Sequence, residues 1–234
     1  MNPILVALDV ESAGRAIALA DTLRGSVGGF KIGKQLFTAA GPSMVRELTS
    51  RGDRVFLDLK FHDIPNTVAG AVQAAVATGA WMVNVHASGG SAMMEAAAAA
   101  AHTTAETLGL PRPLVIAVTV LTSMDNEGLA EIGVARPMLD QVVHLATLAQ
   151  ASGLDGVVAS PQEVRAIRSA CGSDFQIVTP GIRPAGQQGK DDQARTLTPA
   201  QAIAAGSSYL VIGRPITAAP NPREAAESIA ATLQ

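Results

Sequence analysis

Eight short apolar runs, each followed by sequence of helical character, constrain this chain more than any other feature. The runs are Ile4–Leu8, Gly29–Ile32, Arg54–Lys60, Trp81–His86, Leu114–Val120, Gly156–Ala159, Gln176–Thr179 and Tyr209–Ile212. Most are apolar on both faces, as strands of a buried parallel sheet are. Eight such strands with helices between them, in 234 residues, match one (β/α)8 TIM barrel, which takes about 250 residues. An open, doubly wound sheet is the competing architecture, and counting strands does not separate the two.

The helix starts support the alternation. Ser160-Pro161-Gln162-Glu163, Thr198-Pro199-Ala200-Gln201 and Asn221-Pro222-Arg223-Glu224 each place a capping side chain before a proline. The cap accepts a bond from an otherwise unpaired N–H, and proline has no N–H to leave unpaired there. Val68, Val72 and Val76 share one helix face. The alanine run 96–101 reads as a helix face of small side chains packed closely on the sheet. No linker, charge block or composition break divides the chain, so residues 1–234 are expected to form a single domain.

Composition narrows the function classes. Apolar residues make up 48% and charged residues 16%, which favours a large core over disorder. The net charge of −3 gives no support to a nucleic-acid or anionic-membrane partner, because both call for a basic surface. A single cysteine, Cys171, excludes an intramolecular disulfide and any multi-cysteine metal site. The opening MNPILVALDV lacks a basic region and meets Asp9 too early for a signal peptide. The longest strongly apolar run, residues 114–121, is too short to cross a membrane. The expected setting is the cytoplasm.

Charges interrupt the apolar strands at one end. In the third run, alternation puts Val55, Leu57 and Leu59 on one side and Phe56, Asp58 and Lys60 on the other. In a barrel, Asp58 and Lys60 would point inward, where a charge must be paired. On an open sheet the same two residues would be an ordinary ion pair on an exposed edge strand. Asp9 closes the first strand and Lys31 lies within the second. Asp9, Lys31, Asp58 and Lys60 then gather at the carboxyl ends of strands one to three, where barrel active sites lie. Alternating charges of this kind hold one ammonium at a fixed point, a preorganised electrostatic device. His86 ends the fourth strand. The chain's four histidines include no HxH or HExxH arrangement, so His86 reads as a polar structural residue near the mouth, not a metal ligand.

The last two strands end in Thr179-Pro180-Gly181-Ile182-Arg183 and Ile212-Gly213-Arg214. Glycine lets backbone approach closely and arginine offers a planar donor fork. Barrels commonly bind phosphate after strands seven and eight, so the two pairs point to a phosphorylated substrate. Residues 183–195, RPAGQQGKDDQAR, hold no large apolar residue and read as a long loop of the binding or lid type.

With these stretches together, the sequence resembles the orotidine 5′-phosphate decarboxylase family in its shorter bacterial form. The matching stretches are LDV at 8–10, FKIG at 30–33, DLKFHDIPNT at 58–67, VNVHASGG at 83–90, TVLTSM at 119–124, TPGIRP at 179–184, DQAR at 192–195 and VIGRPIT at 211–217. The resemblance implies a homodimeric barrel that converts orotidine 5′-monophosphate to UMP and CO2 in pyrimidine synthesis, with no metal and no cofactor. It implies a charged network of Lys31, Asp58 and Lys60, completed by Asp63 of the partner subunit, with Lys60 as proton donor. Asp9 and Lys31 would hold ribose hydroxyls, and Thr67 would reach across from the other subunit. Thr122 and Ser123 would contact the pyrimidine, with further substrate contacts at Ile64 and Pro180. Arg183, Gln193, Gly213 and Arg214 would bind phosphate under a mobile loop at 183–195. Gln193 is chosen for the DQAR form, while Gln187 and Gln188 remain open. D-x-K-x-x-D alone also fits a magnesium-dependent sugar-phosphate decarboxylase or hexulose-phosphate synthase, and a non-catalytic nucleotide-binding barrel is the alternative of another class.

Overall fold

The computed structural model describes residues 2–184 and 196–233. In chain order its elements are β1 (Ile4–Ala7), α1 (Ala13–Leu23), β2 (Gly29–Gly33), α2 (Lys34–Ala40), α3 (Pro42–Ser50), β3 (Val55–Phe61) and α4 (Pro65–Val76). Then come β4 (Met82–His86), α5 (Ser91–Leu108), β5 (Leu114–Val118), α6 (Asn126–Glu131), α7 (Met138–Ala151), β6 (Gly156–Val158) and α8 (Val164–Cys171). The chain continues through β7 (Gln176–Thr179), α9 (Pro199–Ala205), β8 (Tyr209–Ile212), α10 (Arg214–Thr217) and α11 (Pro222–Ala231). Each strand pairs in parallel with the next and β8 returns to β1, closing the barrel. Closure decides against the open sheet.

Period-two alternation builds two apolar layers. Leu5, Ala7, Phe56, Met82, Ile116, Val118, Val158, Val178 and Val211 fill the barrel interior. Their sequence neighbours, such as Val6, Leu57, Val83 and Ile177, face the helices and join the larger outer core. Trp81, Leu114 and Tyr209 pack beneath the interior cluster at the amino ends of their strands. The Trp81 and Tyr209 rings meet edge to face at 5.2 Å, and the Arg54 guanidinium lies 5.4 Å from the Trp81 ring centre. Gly156 lets β6 and β7 approach, because a Cβ there would lie 2.1 Å from the Gln176 carbonyl oxygen.

Local signals fix most helix ends. Thr198 caps α9 in a reciprocal box with Gln201, and Asn221 caps α11 through the Glu224 N–H. The third proline motif behaves differently. Glu163 Oε2 does accept from the Ser160 N–H at 2.8 Å, while the Glu163 N–H donates to the Ser160 carbonyl at 3.0 Å and Ser160 Oγ accepts from the Gln162 N–H at 3.4 Å, a tight turn instead of a reciprocal box. Residues 161–163 make only a turn, and α8 begins at Val164. That turn closes without propagating into the helix. The alanine run lies in α5, whose main neighbour is α4 and not the sheet; small side chains let the two helices lie close together. Among the described residues, no helix is long and apolar enough to cross a membrane.

Candidate active site

The carboxyl ends of the strands surround a cavity of about 600 Å³. Asp9, Lys31, Asp58 and Lys60 line one side, Thr122 and Ser123 another, and Pro180, Arg183, Gly213 and Arg214 a third. Those expected residues therefore meet in one pocket, drawn from the carboxyl ends of six strands. Gln35 and Thr217 also line it; nothing in their local sequence singled them out.

Lys31 reaches the pocket because it occupies an inward position of β2, level with Ala7 and Phe56. Its Nζ donates to Asp9 Oδ1 at 3.0 Å and lies 3.4 Å from Asp58 Oδ2. The ammonium occupies the space that a side chain at Gly33 would take: a Cβ there would lie 2.8 Å from Lys31 Nζ and 2.9 Å from Asp9 Oδ1. Glycine in GFKIG is thus a requirement of the charge network.

Lys60 reaches the same network by a route that simple alternation does not describe. Between Leu57 and Phe61, three residues of β3 stand against one of β4, an irregularity of the bulge type. Within it Lys60 has φ +53°, the only left-handed non-glycine residue among those described. The Lys60 Nζ donates to Asp58 Oδ1 at 2.6 Å. Its backbone N–H donates to Asn84 Oδ1 at 2.8 Å, and Asn84 Nδ2 donates to Asp58 Oδ1 at 2.7 Å. Asn84 is 0% exposed. Sequence reasoning missed it, although an amide between two valines of a buried strand was the available signal.

The electrostatics follow from this geometry. Burial acts most strongly on Asp58 and would raise its carboxyl. Lys31, Lys60 and the hydrogen bonds from Lys60 and Asn84 together outweigh it and hold the group below the usual carboxylate range. Asp58 is therefore an anion between two ammonium groups. His86 stands at the rim, its ring 5.7 Å from that of His62. Burial, then His62, Lys60 and Lys34, push it down to about 4 against the pull of Asp58, so it is neutral at pH 7. Among the described residues, no three His, Cys, Asp or Glu side chains gather as a metal-binding group.

Other expected residues lie elsewhere. Asp63, Ile64 and Thr67 are exposed on the β3–α4 connection and the first turn of α4, and none of them lines this chain's cavity. Asp63 Oδ1 accepts from the Ile64 N–H at 2.7 Å. Ile64 is 67% exposed, more than any other large apolar residue described. Arg183 is buried, its Nη1 donating to the Ile182 carbonyl. Gln193, the alternatives Gln187 and Gln188, and the loop from 185 to 195 lie outside the described residues.

Comparison with known proteins gives a consistent relationship. Residues 2–229 match the model of the family described as Orotidine 5′-phosphate decarboxylase / HUMPS. The chain is 58% identical over 234 residues to the orotidine 5′-phosphate decarboxylase of Moorella thermoacetica, covering 100% of this chain and 92% of that one. It is 55% identical over 233 residues to that of Paramagnetospirillum magneticum, covering 100% and 99%. Among solved structures it is similar to orotidine 5′-phosphate decarboxylase from Lactobacillus acidophilus, with a TM-score of 0.88 and 39% identity over 100% of both chains.

Proposed function

This chain belongs to the orotidine 5′-phosphate decarboxylase family, and from that premise we propose how its pocket releases CO2 from orotidine 5′-monophosphate to give UMP in pyrimidine synthesis. The observation that carries the reading is the chain Lys31–Asp58–Lys60 on one wall of the cavity, with Lys31 and Asp58 buried and Lys60 half-buried. The cavity volume of about 600 Å³ is within the range of small-molecule sites.

Cleavage of the bond between C6 and the carboxylate leaves its electron pair in an in-plane orbital of C6, outside the ring's π system. Delocalisation into the ring cannot absorb it. An ammonium held beside C6 stabilises that charge as it develops, and Asp58 holds Lys60 in place before the reaction begins. The Lys60 N–H proton then passes to C6, giving UMP, and the amine regains a proton from solvent. Enzymatic rate enhancements correspond to about 8–23 kcal/mol, more than one contact supplies. Binding of the distant phosphate by Arg183, Arg214, Gly213 and the 183–195 loop, with Gln193, contributes the rest by assembling the site. Asp9 and Lys31 hold ribose hydroxyls; Thr122, Ser123 and Pro180 hold the base.

The reading includes a cytoplasmic homodimer with shared sites. Its support is that Asp63, Ile64 and Thr67 project from the chain and contribute nothing to its own pocket. In a pair of chains they complete the neighbour's pocket. No metal enters the reaction.

The test is the ultraviolet absorbance of orotidine 5′-monophosphate mixed with the protein, with and without a chelator. Loss of absorbance in both samples, and near abolition in a folded Lys60→Ala variant, is expected. An inert substrate would defeat the reading, and activity lost only on chelation would favour metal-dependent chemistry. Near-normal turnover by Lys60→Ala would remove Lys60 as proton donor.

A further inference from the structure

We propose that Asn84 is a positioning residue for the reaction, fixing the Lys60 ammonium through both the Lys60 backbone and the Asp58 carboxylate. The inference rests on the function proposed above. Asn84 sits on β4 beside the irregular part of β3, at 0% exposure. Its two ends are assigned by their partners. A backbone N–H can only donate, so the atom 2.8 Å from Lys60 N is the amide oxygen. The amide nitrogen then faces Asp58 Oδ1 at 2.7 Å. That same oxygen receives Lys60 Nζ at 2.6 Å. One amide therefore grips the Lys60 main chain where it turns left-handed, and also the carboxylate oxygen on which its side chain ends.

The irregular strand is what calls for this amide. The ladder between β3 and β4 is interrupted here, so the Lys60 N–H takes a side-chain acceptor instead of a strand carbonyl. A residue at φ +53° persists only where its surroundings hold it. Without the amide, the Lys60 backbone can relax toward an ordinary strand and swing the ammonium away from its set point. Asn84 stands behind the wall formed by Asp58 and Lys60 and does not itself line the cavity, so its loss acts through those two residues.

The experiment compares Asn84→Ala, Asn84→Asp and wild type on orotidine 5′-monophosphate across pH. Asn84→Ala is expected to lose kcat by between about tenfold and a hundredfold, as small misplacements of reacting groups do, with KM little changed. Asn84→Asp has a sharper signature. Its ionised carboxylate would face Asp58, and two such groups in contact do not both stay ionised easily. Once protonated, the new acid donates to Asp58 and accepts from the Lys60 N–H, reproducing both bonds. Its kcat relative to wild type at the same pH is therefore expected to rise toward acid. The titratable neighbours Lys31, Lys60, Asp58, Lys34, His62 and His86 are common to both proteins, so the ratio reports the added carboxyl and its coupling to Asp58. A lysine Nζ titration by NMR gives a readout independent of turnover, with the Lys60 signal expected to move in Asn84→Ala.

Parallel loss of kcat and rise of KM, wild-type kinetics, or a flat Asn84→Asp ratio would each overturn the proposal. So would failure of Asn84→Asp to fold at acid pH, since the protonated acid restores both bonds. Should wild type itself leave the nucleotide unchanged, the functional reading fails. The Lys60 titration then decides the positioning role alone, and an unmoved Lys60 signal overturns it.

Discussion

A methyl group at position 33 would collide with the two charged atoms it stands between, Lys31 Nζ and Asp9 Oδ1. The backbone of Gly33 is extended, with φ −93° and ψ 179°, so alanine is allowed there on conformational grounds. Both obstructing atoms end flexible side chains and can move aside. Gly33→Ala is therefore expected to stay folded, with a stability change of no more than about 1 kcal/mol. Activity is expected to fall at least about tenfold if the charged wall acts as proposed, because the displaced atoms belong to it. Thermal melting and kcat/KM on one sample separate the two effects. A large loss of stability with normal kcat/KM would mean that Gly33 serves packing and not the charges. The same residue shows where sequence reading stops. Lys31 announced itself as a charge in an apolar strand, while Gly33 was visible only as a glycine whose missing side chain served no stated purpose.

At the scale of elements, the irregular stretch of β3 makes a testable inversion. In ordinary strand positions glycine is less stable than alanine by roughly 0.5–1 kcal/mol. At Lys60 the φ of +53° reverses the preference, since a Cβ in the left-handed region costs about 1–2 kcal/mol. Lys60→Gly and Lys60→Ala lose the same ammonium, so Asp58 is equally deprived in both. Lys60→Gly is expected to be the more stable by about 1 kcal/mol in urea denaturation, with both inactive. The ordinary order would show that this residue is not held left-handed. The bulge also marks the limit of period-two reasoning. Alternation correctly separated Val55 and Leu57 from Phe56 and Asp58, because these residues pair regularly with β2 and β4. It reached the right side for Lys60 without the right geometry, since a bulge depends on the neighbouring strand and Asn84 lies 24 residues away. Helix starts divide similarly. Thr198 and Asn221 work as local caps, whereas the turn at Ser160 closes and the helix waits until Val164.

For the whole molecule, a buried parallel sheet was legible because eight strands apolar on both faces need cover on each side, while its closure into a barrel rested on the resemblance until the strand order showed it. The charged and arginine-bearing parts of the pocket were legible from the strand ends that a barrel brings to one rim, whereas Thr122, Ser123 and Pro180 came from the resemblance. An interface between copies leaves no such periodic trace, so sharing of the site rested on the resemblance alone. The structure adds the exposed segment of Asp63, Ile64 and Thr67, outside the chain's own cavity. If these residues serve the neighbour, Lys60→Ala and Asp63→Ala chains complement one another. In a mixed dimer, one site lacks both residues and the other lacks neither. Random exchange at equal concentrations makes half of the dimers mixed, so the pair should recover about a quarter of wild-type activity. Each variant alone should stay nearly inactive. Light scattering must find a dimer, and exchange must be verified by tagging one chain. Proven exchange without recovery would place Asp63 in service of its own chain, and the exposed segment would need another explanation. Recovery would also add a third carboxylate, the partner's Asp63, to a network in which Asp9 and Asp58 already face Lys31 and Lys60 within one chain.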